Sequence, residues 1–169
     1  ERFWDFSFLP GWLVAALSQG MILGALLQGI AVDGRHYAGG WLDWLTPYSL
    51  LTGAGVVVGY MLLGSCFLVM KLTGEAEEHA YRLALRAGIG TLLLMGAVSL
   101  ATPFLASQYW ERWFTMPSFL FVSQVPLLTA ICFFALYWSL KKRRRYRPFL
   151  IALMLFALGM AGLGVSMWP

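Results

Sequence analysis

Residues 47–70 form an apolar run without a single Lys, Arg, Asp or Glu, and Lys71 closes it. At 1.5 Å per residue, about 24 helical residues reach roughly 36 Å, which exceeds the ~30 Å hydrocarbon core of a bilayer. In that core only a helix or a closed barrel satisfies its own peptide groups, so the run predicts a membrane-spanning helix. Its flanks agree. Trp41, Trp44 and Tyr48 suit the headgroup level as interfacial anchors, Thr46 is placed to cap, and Pro47 fits a first helical turn where no N–H partner is needed.

Four more runs have the same character, at 6–30, 83–106, 118–140 and 148–167, none with a charged side chain in its central part. Together they predict an all-α integral membrane fold, a polytopic bundle of five transmembrane helices forming one membrane domain over residues 1–169. Composition supports this, since 60% of residues are hydrophobic and 12% charged, against about 25% charged in soluble domains. Little chain remains for an extramembrane catalytic domain. The chain opens on Glu1 and stops at Pro169 directly after a run, and we read it as an internal fragment of a longer protein.

The loops predict orientation. Ten of the twelve Lys and Arg residues fall before the first run, between the second and third, or between the fourth and fifth, and only Arg35 and Arg112 lie on the other side. By the positive-inside rule the start, loop 71–86 and loop 141–148 are cytoplasmic, with Lys71, Arg143, Arg144 and Arg145 as anchors at the membrane surface. A specific lipid or partner site is the sharper reading of the KKRRRYRP segment. Glu75, Glu77 and Glu78 beside His79, Arg82 and Arg86 read as a solvated, amphipathic helix start, with a proton-collecting antenna as the alternative. The basic residues sit next to spans and not among stackable aromatics, which argues against a nucleic-acid partner.

Small and polar residues inside the runs predict helix packing or partner contact. Gly20 and Gly24, and Gly55 and Gly59, have GxxxG spacing, and Gly88, Gly90, Gly96, Gly159, Gly162 and Gly164 extend the pattern. Gln19 and Gln124 are candidate interior contacts and Gln28 a rim residue. Pro126 is expected to bend the fourth run and Pro103 to help end the third, ahead of an interfacial belt of Tyr109, Trp110, Trp113 and Phe114.

Ligand chemistry is sparse. His36 and His79 lie in loops on opposite sides, the eight Met residues are scattered as packing filler, and Cys66 and Cys132 read as small buried hydrophobes. No ionisable group lies at mid-membrane depth, where a proton relay or transport site places one. We therefore expect no catalytic residue, no metal site and no cofactor in this chain.

The segments Leu26-Leu27-Gln28-Gly29, Gly40-Trp41-Leu42-Asp43-Trp44-Leu45-Thr46-Pro47-Tyr48, Leu51-Thr52-Gly53, Gly59-Tyr60, Gly64 and Lys71-Leu72-Thr73-Gly74-Glu75 resemble subunit II of cytochrome bd-type quinol oxidases. Asp33-Gly34-Arg35-His36-Tyr37-Ala38-Gly39-Gly40 is similar to the cyanide-insensitive branch, and the Trp4-Asp5 pair also fits. The resemblance is strong over 4–75 and weaker beyond, and Ser65-Cys66 departs from the more usual Ala-Thr pair. It adds Gly29, Gly53 and Gly64 to the candidate packing residues.

The resemblance implies a nine-helix, haem-free structural subunit in the bacterial cytoplasmic membrane, of which the five runs are the fourth to eighth spans. It also implies a haem-bearing partner, subunit I, which carries haem b and haem d and couples quinol oxidation to oxygen reduction in the respiratory chain. Membrane lipid is a further partner, and a quinone a candidate one. The competing readings are a fragment of a secondary transporter or permease, and an anchor subunit of another redox complex.

Overall fold

The computed structural model describes residues 2–105 and 118–167, and all of their side chains except those of 2–7, 9, 32, 118–123, 125 and 165–167. In chain order the elements are α1 (Arg2–Gln28), a hairpin of β1 (Val32–Asp33) and β2 (His36–Tyr37), α2 (Pro47–Lys71), α3 (Glu75–Ala101), a 3-10 turn (Thr102–Phe104), α4 (Ser118–Lys141) and α5 (Arg147–Met167). Four helical stretches are long and apolar enough to cross a membrane, namely Pro10–Gln28, Pro47–Lys71, Glu75–Phe104 and Arg147–Gly164. In α4 the apolar stretch described with its side chains, Pro126–Lys141, is shorter than a span. Where five crossings are expected, the described residues give four candidate spans and, within the fourth helix, one shorter apolar stretch.

Helix ends shift from their expected places for local reasons. α1 stops at Gln28 because Gly29 turns to φ +86°, and its N–H donates to the Leu26 carbonyl at 3.2 Å. That left-handed position is one glycine occupies without steric cost. α3 starts at Glu75, eight residues before the expected span, so the acidic segment and the apolar run are one helix. Glu75, Glu77 and Glu78 occupy its first turn, where exposed N–H groups favour negative charge. It ends at Ala101, since Pro103 lacks the N–H that a further turn needs; the chain tightens into the 3-10 turn, and the Thr102 hydroxyl donates to Val98 at 2.7 Å. α4 stays helical through Pro126. The aromatic belt of 109–114 and Arg112 lie outside the described residues, as do the side chains of Arg2, Trp4 and Asp5.

The loop between α1 and α2, expected only as a connection, holds the hairpin. Val32 pairs with Tyr37 and Asp33 with His36, and Gly34 takes φ +62° at the first of the two turn positions, the sign pattern of a type II′ turn.

Two compact units divide the chain, one up to Val57 and the other from Val58. The first unit contains α1, the hairpin and the start of α2. Ala16, Gly20, Met21, Gly24 and Leu27 form the buried stripe of α1, and Tyr48, Ser49, Thr52 and Gly53 the buried face of α2. The second unit has its own core. Leu62, Cys66 and Val69 of α2 join Ala80, Tyr81, Ala84 and Ala87 of α3, Phe133, Leu136 and Leu140 of α4, and Ala152 and Leu155 of α5. α3 contributes mainly alanines, so its backbone comes close to the larger side chains of its neighbours. A Cβ on Gly88 would sit 3.6 Å from Leu136 and 3.8 Å from Leu62, ordinary contact distances.

Ala84 is wholly buried in this core. Ala84→Leu is expected to lower stability by about 1–3 kcal/mol through overpacking, whereas Gly88→Ala is tolerated. Unfolding of the detergent-solubilised protein, followed by circular dichroism, checks both.

Candidate functional site

Many of the candidate residues gather in three places: a helix crossing in the first unit, the loop before α2, and the cationic ends of the helices in the second unit. At the crossing, Gly20 and Gly24 of α1 lie against Ser49, Thr52 and Gly53 of α2. A Cβ on Gly20 would lie 2.6 Å from Gly53 Cα, and one on Gly24 would lie 2.7 Å from Ser49 Cα, so neither position accepts a side chain without moving backbone. Gly53 is held less tightly, by side-chain atoms of Leu17 and Met21 at 2.9 and 3.0 Å from its would-be Cβ. The Thr52 hydroxyl lies 2.8 Å from the carbonyl oxygens of both Gly20 and Ser49, and can donate across the crossing or within its own helix.

A second polar contact ties the crossing to the loop. The Thr46 hydroxyl donates to Gln28 Oε1 at 2.7 Å, joining the end of α1 to the start of α2. Thr46 and Ser49 also cap α2 reciprocally, the Ser49 N–H donating to the Thr46 hydroxyl at 3.0 Å and the Thr46 N–H to the Ser49 hydroxyl at 2.9 Å. Ser49 is fully buried. The capping spacing, Thr46 followed three residues later by Ser49, is visible in the sequence. The docking of Thr52 on α1 is not, because it depends on the register between two helices.

The GWLDW loop turns on Asp43. The Gly40 N–H donates to Asp43 Oδ2 at 2.5 Å, the Tyr37 hydroxyl donates to the Gly40 carbonyl at 2.8 Å and approaches Asp43 Oδ2 at 3.5 Å, and the Trp44 indole N–H donates to the Trp41 carbonyl at 2.7 Å. Reduced hydration in the loop, and then the Asp43 carboxylate through its charge and hydrogen bond, hold the Tyr37 pKa above its ordinary value. Trp41 is 96% exposed and Trp44 49%, while Tyr48 beside them is buried at 6%.

The remaining candidates are dispersed. A Cβ on Gly29, Gly59 or Gly64 would meet nothing within 4 Å, and Gly55 is half-buried. Gln19 and Gln124 are exposed. Lys71 Nζ lies 5.7 Å from the centre of the Phe67 ring. Arg143 pairs with Glu78 at 2.6 Å and lies 5.6 Å from the Tyr81 ring centre, and Arg145 donates to the Leu72 carbonyl at 3.0 Å. His36 and His79 are both exposed, and His79 Nδ1 is 2.9 Å from its own helix at the Glu75 carbonyl. Among the described residues, no three His, Cys, Asp or Glu side chains converge on a metal-sized site.

These features define a class first: an all-helical, multi-pass membrane protein. The profile of the cytochrome bd terminal oxidase subunit II family matches residues 1–169, and the chain belongs to that family. It is 29% identical over 98 residues to the cytochrome bd-I ubiquinol oxidase subunit 2 of Escherichia coli K12, a match covering 55% of this chain and 26% of the relative. It is 30% identical over 95 residues to a probable cytochrome oxidase subunit 2 of Haemophilus influenzae, covering 53% and 25%. The matched region is thus about a quarter of the length of these relatives.

Two outcomes follow from this geometry. Thr52→Val is expected to cost about 0.6 kcal/mol, the average for one hydrogen bond between membrane helices, and Gly24→Leu about 1–3 kcal/mol by forcing the crossing apart; reversible unfolding in mixed micelles separates the two. For Tyr37, a raised pKa means the loop favours the neutral phenol. That preference is fully present below the ordinary tyrosine pKa and is lost as pH rises through the raised one. The ultraviolet titration of the protein minus that of Tyr37→Phe should show ionisation above the ordinary tyrosine range, and Asp43→Asn should move it down.

Proposed function

We propose that this chain is part of a haem-free, non-catalytic subunit of a bacterial respiratory cytochrome bd quinol:oxygen oxidoreductase, and that it supports and shields a haem-bearing subunit I. The observation that carries this reading is the family match over residues 1–169. The Escherichia coli relative's name, a subunit of a ubiquinol oxidase, supports a quinol as the reductant. On this reading haem b and haem d reside in subunit I and supply the electron transfer from quinol to oxygen, while residues of this chain pack and orient.

The structural features suit such a role. A crossing built from Gly20, Gly24 and Gly53 with the Thr52 hydroxyl gives a stiff helix pair. Large apolar side chains on the same helices, Trp12 and Ile22 among them, remain exposed and suit lipid or a neighbouring subunit. The asymmetric distribution of Lys and Arg supports a bacterial cytoplasmic-membrane location with loops 71–86 and 141–148 on the cytoplasmic side. The short coverage of the relatives supports a fragment reading, with further spans of a nine-helix subunit outside this sequence. The permease alternative has no observation in its favour.

Deleting the full-length subunit while retaining subunit I tests the proposal. Reduced-minus-oxidised spectra of the membranes should lose the haem b and haem d bands together with quinol-dependent oxygen uptake. Assembly of a spectrally complete, active oxidase without this protein would overturn the supporting role. A haem retained by the isolated subunit would overturn the haem-free assignment.

A further inference from the structure

The cations of the α4–α5 turn are not equivalent. Arg143 is engaged by Glu78, Arg145 by the Leu72 carbonyl, and Lys141 lies 6.0 Å from the Tyr137 ring centre. Lys142, Arg144 and Arg147 instead border a cavity of about 170 Å³ between the end of α4 and the start of α5, and no acidic residue lines it. Lys142 is held at its edge by Trp138, with Nζ 3.9 Å from the ring centre. Like charges on one wall favour an anionic partner over a neutral one.

Ser139 supplies a second, independent sign. It lines the same cavity, is only 7% exposed, and its hydroxyl has no hydrogen-bond partner. Its carbonyl is already used, accepting from the Arg144 N–H at 3.0 Å in the turn that ends α4. A buried hydroxyl left without a partner is disfavoured until an acceptor arrives. A hydroxyl donor, two guanidinium forks and an ammonium group together match the oxygens of a phosphate.

The rest of the wall is apolar. Trp138 and Ile151 line the cavity. On the same faces, one or two turns further along the helices, Ile131 of α4 and Met154 of α5 are exposed at 56% and 58%. An anion with no hydrocarbon attached would leave this strip uncovered.

We propose that this cavity binds the phosphate of an anionic phospholipid. Lys142, Arg144 and Arg147 take the phosphate oxygens, the Ser139 hydroxyl donates to one of them, and an acyl chain lies over Ile151, Ile131 and Met154. This makes the α4–α5 turn a specific lipid site, more selective than a general positive surface, and it does not depend on the oxidase assignment.

The test uses the full-length protein purified from membranes and reconstituted in nanodiscs of phosphatidylcholine with a minor fraction of phosphatidylglycerol, with bound lipid counted by native mass spectrometry. Phosphatidylglycerol should be retained in preference to phosphatidylcholine. Retention should fall about fivefold for each cation removed, so more than tenfold in Arg144→Gln/Arg147→Gln, and severalfold in Ser139→Ala, which leaves every charge in place. Arg82→Gln/Arg86→Gln, which removes two exposed cations of α3 outside the cavity, should retain the lipid, and gel filtration of each variant reports folding. The proposal is overturned if that control loses lipid as strongly, if Ser139→Ala has no effect, if phosphatidylcholine is held equally well, or if equimolar inorganic phosphate displaces the lipid.

Discussion

Inside hydrocarbon a peptide group has no water to fall back on, and the rest of this structure follows from that constraint. Helices satisfy their own middles but leave N–H groups at the start and carbonyls at the end. The described chain meets the shortfall locally at several helix ends. Thr46 and Ser49 cap α2, Gly29 closes α1, the Thr102 hydroxyl reaches back to Val98, and the turn after α4 returns the N–H groups of Arg143 and Arg144 to the carbonyls of Leu140 and Ser139. That last turn puts Arg143 at φ +52°, a conformation usually left to glycine. Its side chain pairs with Glu78 and lies over Tyr81.

Because lipid is as apolar as leucine, burying leucine does not by itself hold two membrane helices together, and contact has to come from close fit and hydrogen bonds. The two units solve this differently. In the first, glycines remove side chains at the crossing and Thr52 reaches a carbonyl of the facing helix. In the second, α3 presents alanines to larger residues of α2, α4 and α5, and aromatic pairs such as Tyr60 with Phe156, at 5.6 Å between ring centres, add area at the edges.

How much of this was readable beforehand depends on the range of the interaction. The apolar runs, the Thr-Pro helix start and the glycine after Gln28 are local signals, and they located the helices to within a few residues at most ends. α3 is the exception: its acidic segment reads as a helix start separate from the span expected at 83, yet the two are one helix from Glu75, where negative charge at the start is stabilising. Of the two GxxxG pairs, Gly20 and Gly24 sit in a crossing, but the glycine opposite them is Gly53, since register between helices is set by the facing surface and not by a spacing within one strand of sequence. The hairpin at 32–37 and the Asp43 hydrogen bonds have no such local signal, because two-residue strands carry no periodicity. The family motifs over 4–75 were legible as residues, and the family match extends over all 169.

Charge at the α4–α5 turn shows why a composition rule and a structure answer different questions. The positive-inside rule counts Lys and Arg without regard to where each one goes, and for orientation the count is enough. The fold then sorts the same residues by geometry. Around the turn Arg143 pairs with Glu78 and Arg145 with the Leu72 carbonyl, while Lys142, Arg144 and Arg147 line one cavity with Ser139. Membrane orientation needs only the first property, and any of the six cations could be exchanged for its neighbour without changing it. Sharing one cavity wall with a buried hydroxyl is a second property with its own steric requirement. It arises because the turn is short enough to fold the last residues of α4 back against the first of α5.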